Sequence, residues 1–124
     1  MNTTTETKAK YLINCQEGAN HVERATTAFI IAVTASKTSE AIVFMTSDAA
    51  DLCVKGGADG LVEEGLEPLS DLITQFVSNG GKILLCTVCA RVKGITEGDL
   101  IAGVEIAGAP KTMAFLASGG QLLF

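Results

Sequence analysis

The stretch KILLCTVCARVKG, residues 82–94, ends an apolar run in two cysteines spaced C-x-x-C, with Arg91 and Lys93 close behind. Thiols at this spacing support three kinds of role. As thiolates, Cys86 and Cys89 would form a nucleophilic or redox pair, in which one sulfur attacks and the other resolves a disulfide or persulfide. As metal ligands they would need company, because zinc usually takes three or four protein ligands. The chain has a single histidine, His21, and no second C-x-x-C, so zinc would have to recruit Cys15, Cys53 or a neighbouring subunit; the pattern for a metal site is missing. As packing, Cys86 would be a small apolar filler inside a strand.

The surroundings of the pair favour chemistry. If a helix begins just after the cysteines, its N-terminal amides favour thiolate over thiol, and Arg91 and Lys93 add positive potential or position an anionic substrate. Solvated surface charge is the plain alternative for both basic residues. His21 falls in the first turn of a predicted helix beside a strand's carboxyl end, within reach of the cysteines, or else is an exposed residue of that turn. Cys15 ends the first predicted strand and would line the same crevice, or else is a buried thiol. Cys53 reads as packing. Ser47 and Asp48 follow the second strand and read as helix caps.

The elements that must hold these residues alternate in type. KYLINC, residues 10–15, is a short β-rich run leading into the polar turn QEGAN. A helix follows, with Asn20 as N-cap, Glu23 three residues on, and Val22, Ala25, Phe29, Ile30 and Val33 on one apolar face, ending near Lys37. EAIVFMT, residues 40–46, is apolar with little alternation, as in a strand covered on both faces. Ser47 starts a short helix through Lys55, and GGADGLVEEG is a glycine-rich loop. Pro68 opens a helix whose Leu69, Leu72, Ile73, Phe76 and Val77 share a face until NGG stops it. KILLCTV is the third strand, Ala90–Gly94 a short helix, and Thr96 with Asp99 a capping box. IAGVEIA, a helix from Pro110 to about Ala117, and a short terminal strand in GGQLLF complete the chain.

Strands alternating with helices imply right-handed crossovers, hence an α/β fold: a Rossmann-like three-layer sandwich with a mostly parallel sheet of about five strands. In an open sheet of this kind, chemistry gathers outside the carboxyl ends of the strands, where the third strand delivers Cys86 and Cys89. The 124 residues form one domain, with residues 1–8 as a flexible arm.

Composition narrows the function classes. A formal net charge of −5 without a Lys/Arg cluster gives a field that repels nucleic acid and anionic membranes, so neither is an expected partner. The polar N-terminus MNTTTETKAK has no apolar signal core, and the apolar stretch Ala28–Val33 is too short to span a bilayer, so a cytoplasmic location with reduced thiols is expected. The mean hydropathy of +0.37 is high for a small domain and points to apolar surface buried between subunits. GGADG lacks the spacing of a nucleotide-binding loop. Nothing in the chain calls for a cofactor.

The run LLCTVCARVKGI followed by TEGDLIAGVEIAGA, and preceded by EGLEPLSDLITQFVSNGGKI, resembles the DsrE/DsrF-like family, which includes sulfur-relay subunits. The resemblance extends from the first strand to the terminal LLF. Cys86 lies eight residues before Gly94, the spacing between the sulfur-carrying cysteine of relay subunits and a glycine after a basic pair. Here Lys93 alone represents that pair, with Val92 before it, and Cys89 departs from the relay subunits. The resemblance implies a Rossmann-like sandwich, assembly into trimers or hexamers, a persulfide on Cys86, and donor and acceptor proteins for the sulfur. Two function classes follow: a sulfurtransferase, sulfur carrier or thiol-redox protein, in which Cys89 releases the sulfur or closes a disulfide; and a non-catalytic oligomeric module of the same fold that binds a small ligand or a protein.

Overall fold

The computed structural model describes residues 8–124; of the expected N-terminal arm, residues 1–7 lie outside the described residues. Five strands and four helices alternate along the chain: β1 (Lys10–Cys15), α1 (Val22–Ser36), β2 (Glu40–Met45), α2 (Leu69–Ser78), β3 (Lys82–Leu85), α3 (Thr87–Lys93), β4 (Val104–Ile106), α4 (Ala109–Ala117) and β5 (Gln121–Leu122). Short 3-10 turns occupy Ala19–His21, Ser47–Cys53 and Glu97–Asp99. All strand pairs are parallel, in the order β4-β3-β2-β1-β5. The strands therefore step outward from β1 to β4, and the chain then returns across the whole sheet to place β5 on the far side of β1.

Alternation along the strands divides the interior. Ile13, Cys15, Ala41, Val43, Met45, Ile83 and Leu85 face a large buried cluster that they share with α1 and α2. The two helices pack side by side, Phe29 meeting Phe76 edge to face with centroids 5.9 Å apart. Leu12, Ile42 and Leu84 face the opposite side, where Phe44, Ala107, Phe115 and Leu116 close a much smaller cluster. The sheet is thus covered on both faces, which is why its strands read as continuous apolar runs.

Several local expectations need correction. Asn20 does not cap α1: it sits in the preceding 3-10 turn, accepts the Gly18 N–H on Oδ1 at 2.7 Å, and leaves His21 at the N-cap. Ile30 is 37% exposed, while Thr26, Ala28 and Ala32 are buried in its stead. Helix α1 is wedged between the sheet and α2, so its buried arc is wide and made of small residues; the Thr26 hydroxyl enters it by donating to the Val22 carbonyl at 2.7 Å. Ser47 starts a 3-10 turn that ends at Cys53, and Thr46 is its cap. Pro68 is the N-cap of α2 rather than its first turn. The capping box of Thr96 and Asp99 is present, Asp99 Oδ2 accepting the Thr96 N–H at 2.8 Å.

Candidate functional site

The third strand is shorter than its apolar run. The Cys86 N–H still donates to the Met45 carbonyl at 3.0 Å, but beyond that bond no neighbouring strand remains to pair with. The chain coils instead, the Ala90 N–H donating to the Cys86 carbonyl at 2.9 Å. Helix α3 therefore begins at Thr87, three residues earlier than the sequence suggested, and ends where Gly94 takes a left-handed φ of +70°. Cys86 becomes the N-cap and Cys89 falls in the first turn. Cys86 is not a filler inside a strand.

Both sulfurs are free thiols of half-buried residues. Burial pushes the Cys86 thiol up, but the Cys89 N–H, the Cys89 side chain and the Val88 N–H together pull it further down, so that it titrates below the ordinary thiol value. The sulfur faces these amides without closing a regular cap hydrogen bond. Cys89 packs against the large cluster, and its Sγ accepts the Ser47 N–H at 3.3 Å. The pair is thus held between the carboxyl ends of β2 and β3.

The other candidates separate from it. Lys93 pairs instead with Asp51 in the 3-10 turn after β2, with Nζ to Oδ2 at 3.3 Å. Arg91 is exposed and makes no ion pair with a described residue. The leading groups that lower the Cys86 pKa belong to the first turn of α3, not to these basic side chains at its end. His21 is exposed before α1, with no hydrogen bond to either cysteine. Cys15 is 2% exposed, and burial pushes its thiol up to about 11. Cys53 is 1% exposed and pushed up to about 12 by the same cause.

Cys15 lines a cavity of about 420 Å³ with Asn14, Glu17, Arg24, Thr27 and Phe124 among its walls, at the carboxyl end of β1 where the strand order turns back towards β5. Neither Cys86 nor Cys89 lines it, so the single crevice expected from sequence is divided. Among the described residues, no three His, Cys, Asp or Glu side chains converge in a way that would hold a metal ion. The contacts of Ser47, Asp51 and Arg24 are not legible in the sequence. Nothing in a local window marks them, because their partners stand far away along the chain or only across a folded crevice.

The DsrE/DsrF-like family model matches residues 9–124, nearly the whole chain. The chain belongs to the DsrE/DsrF-like family. Among its curated relatives, the uncharacterized protein MJ0760 of Methanocaldococcus jannaschii is 34% identical over 86% of this chain, which spans only 39% of that protein. The uncharacterized protein MK0008 of Methanopyrus kandleri is 30% identical, over 82% of each chain. The fold is shared with the crystal structure of the YchN protein of E. coli, at a TM-score of 0.75 and 18% identity over 93% of this chain and 99% of that one. It is shared also with MTH1491 of Methanobacterium thermoautotrophicum, a protein of unknown function, at 0.64 and 13% over 95% and 98%. Family and α/β fold therefore stand as expected from the residues around Cys86. No described helix is long and apolar enough to cross a membrane.

Proposed function

We propose that this DsrE/DsrF-like chain acts in sulfur transfer or thiol redox chemistry, with Cys86 carrying a persulfide. The observation that supports it is a division among the four thiols: Cys15 and Cys53 are buried and hard to ionise, whereas Cys86 is half-buried, easier to ionise, and beside a second free thiol. The Cys86 thiolate attacks the outer sulfur of a donor R–S–SH; the Cys86–S bond forms, the donor's S–S bond breaks, and RS⁻ leaves. An acceptor thiolate can then take that outer sulfur and return Cys86 to thiolate. Alternatively the Cys89 thiolate attacks the inner sulfur, closing the Cys86–Cys89 disulfide and expelling HS⁻. Arg91, exposed on α3, is the cation available to a negatively charged donor or acceptor. The protein works in the cytoplasm as a homo-oligomer, a trimer or hexamer, burying apolar residues such as Met113 and Leu122, which are 61% and 55% exposed in the single chain. Light scattering on the purified protein tests that assembly.

The reduced protein is incubated with inorganic polysulfide and its intact and peptide masses are read. One added sulfur on Cys86, removed by dithiothreitol and absent from Cys86→Ser, is the expected result. Equal loading of Cys86→Ser sinks the assignment of Cys86, and a Cys86–Cys89 disulfide without a persulfide moves the reading to redox chemistry.

A second reading, a non-catalytic module that binds a small ligand, is favoured by the cavity at the turn-back of the sheet. Open α/β sheets bind ligands at this place, and the cavity is lined without the cysteine pair. No modification of either cysteine by polysulfide, together with slow alkylation of both, would favour it.

A further inference from the structure

Ser47 is the only non-glycine residue with positive φ among the described residues, at +53°. An L side chain crowds its own backbone in this region, and serine has no special aptitude for it, so the conformation must be held by what surrounds it. The neighbouring hydrogen bonds show what holds the chain on either side. The Thr46 N–H donates to the Cys15 carbonyl at 3.1 Å, and the Ala49 N–H closes the turn onto the Thr46 carbonyl at 3.0 Å. Between them the Ser47 N–H takes no part in the local ladder or turn and donates to the Cys89 sulfur at 3.3 Å. The Ser47 side chain is exposed and forms no hydrogen bond with a described residue. The contact that distinguishes this residue is its main-chain amide on Cys89.

We propose that Ser47 is a positioning residue for the dithiol: its strained backbone aims an amide at Cys89 and holds that sulfur in place to attack a persulfide on Cys86. The proposal deepens the sulfur-chemistry reading and rests on it. Once Cys86 has taken a sulfur and RS⁻ has left, Cys89 gives its proton to solvent base and becomes a thiolate held in place by the Ser47 amide. That thiolate attacks the inner sulfur of the persulfide; the Cys86–Cys89 bond forms, the bond to the outer sulfur breaks, and HS⁻ departs with the electron pair. The position of the Cys89 sulfur governs this step and not the loading of Cys86, so Ser47 sets how readily sulfur is released rather than how readily it is loaded.

The amide can be removed alone by replacing the Thr46–Ser47 peptide bond with an ester in the full chain, joining residues 1–52 to residues 53–124 at the native Cys53. The readout is the rate at which polysulfide-loaded protein releases HS⁻ and closes the Cys86–Cys89 disulfide, followed by mass. The ester chain should load Cys86 as the native chain does and release the sulfur about threefold more slowly. Ser47→Gly and Ser47→Val provide a second series without ligation. Glycine keeps the amide and accepts the positive φ, whereas a β-branched side chain opposes it and turns the amide away. Release should be slower in Ser47→Val than in Ser47→Gly, which should match the native protein. Equal release rates across either series overturn the proposal. Loading of polysulfide sulfur by the native chain with equal release rates sinks the role of Ser47 alone; failure of the native chain to load any sulfur on Cys86 sinks the sulfur reading and the proposal with it.

Discussion

At Cys86 two opposed effects meet, since burial favours the neutral thiol while the amides and thiol of the next turn favour the anion, and the anion gains more. The Cys89 side chain supplies part of that gain, so Cys89→Ala should raise the Cys86 alkylation midpoint. Reactivity of Cys86 would then fall at pH values below the native midpoint and stay unchanged well above it, a pattern that alkylation rates measured across pH 6–10 would distinguish from general damage. Substitution of Lys93 should behave differently. Its ion pair with Asp51 is largely exposed on the aspartate side, and such pairs contribute roughly 0–1 kcal/mol. Asp51→Asn is expected to leave both the Cys86 midpoint and the urea midpoint of unfolding nearly where they are.

At the scale of elements, the position of the cysteines depends on how α2 hands the chain to β3. Gly81 makes that turn directly over Phe76, and a Cβ added there would lie 2.4 Å from the ring. Gly81→Ala should therefore cost about 1–3 kcal/mol through overpacking, and Phe76→Ala about 3–5 kcal/mol through the cavity left beside Phe29; both are read from chemical denaturation. Gly94 offers a contrast at the other end of α3. Nothing lies within 4 Å of a Cβ built there, so Gly94→Ala meets only the backbone preference at φ +70°. Its cost should be about 1 kcal/mol, with fraying confined to α3 and visible as faster amide exchange in Arg91–Gly94.

For the molecule as a whole, the two buried thiols make stability depend on alkaline pH. Cys15 and Cys53 have folded values of about 11 and about 12, raised above the ordinary 9.0 of the unfolded chain. A raised value means that their contribution is fully present below pH 9 and is lost as pH climbs from there towards 11 and 12. Unfolding free energy measured in urea should accordingly fall by a few kcal/mol, to order of magnitude, between pH 9 and 11. Cys53→Ala should begin lower at pH 7, because it opens space in the core, yet decline less steeply over the same range. A parallel decline in the variant would show that Cys53 titrates in the folded state as freely as in the unfolded one.

The alternation of apolar runs with helical periods determined, from sequence alone, the parallel α/β sheet, the order of its elements and the delivery of Cys86 and Cys89 to the end of β3. Such patterns are local: each strand covered on both faces must be apolar throughout, and each helix must turn one side inward. Tertiary structure decided the rest. It ended β3 at Leu85 because β2 offers no partner past Met45, and thereby converted Cys86 from a strand residue into a helix cap. The wedging of α1 between sheet and α2 exposed Ile30 and buried Thr26. Cys15 and Arg24 were drawn into a cavity of their own by the return of the chain to β5, and the Ser47 amide was set on Cys89 from 42 residues away in sequence. Each of these outcomes depends on a neighbour supplied by another part of the chain, and a contact of that kind leaves no signature in the residues on either side of it.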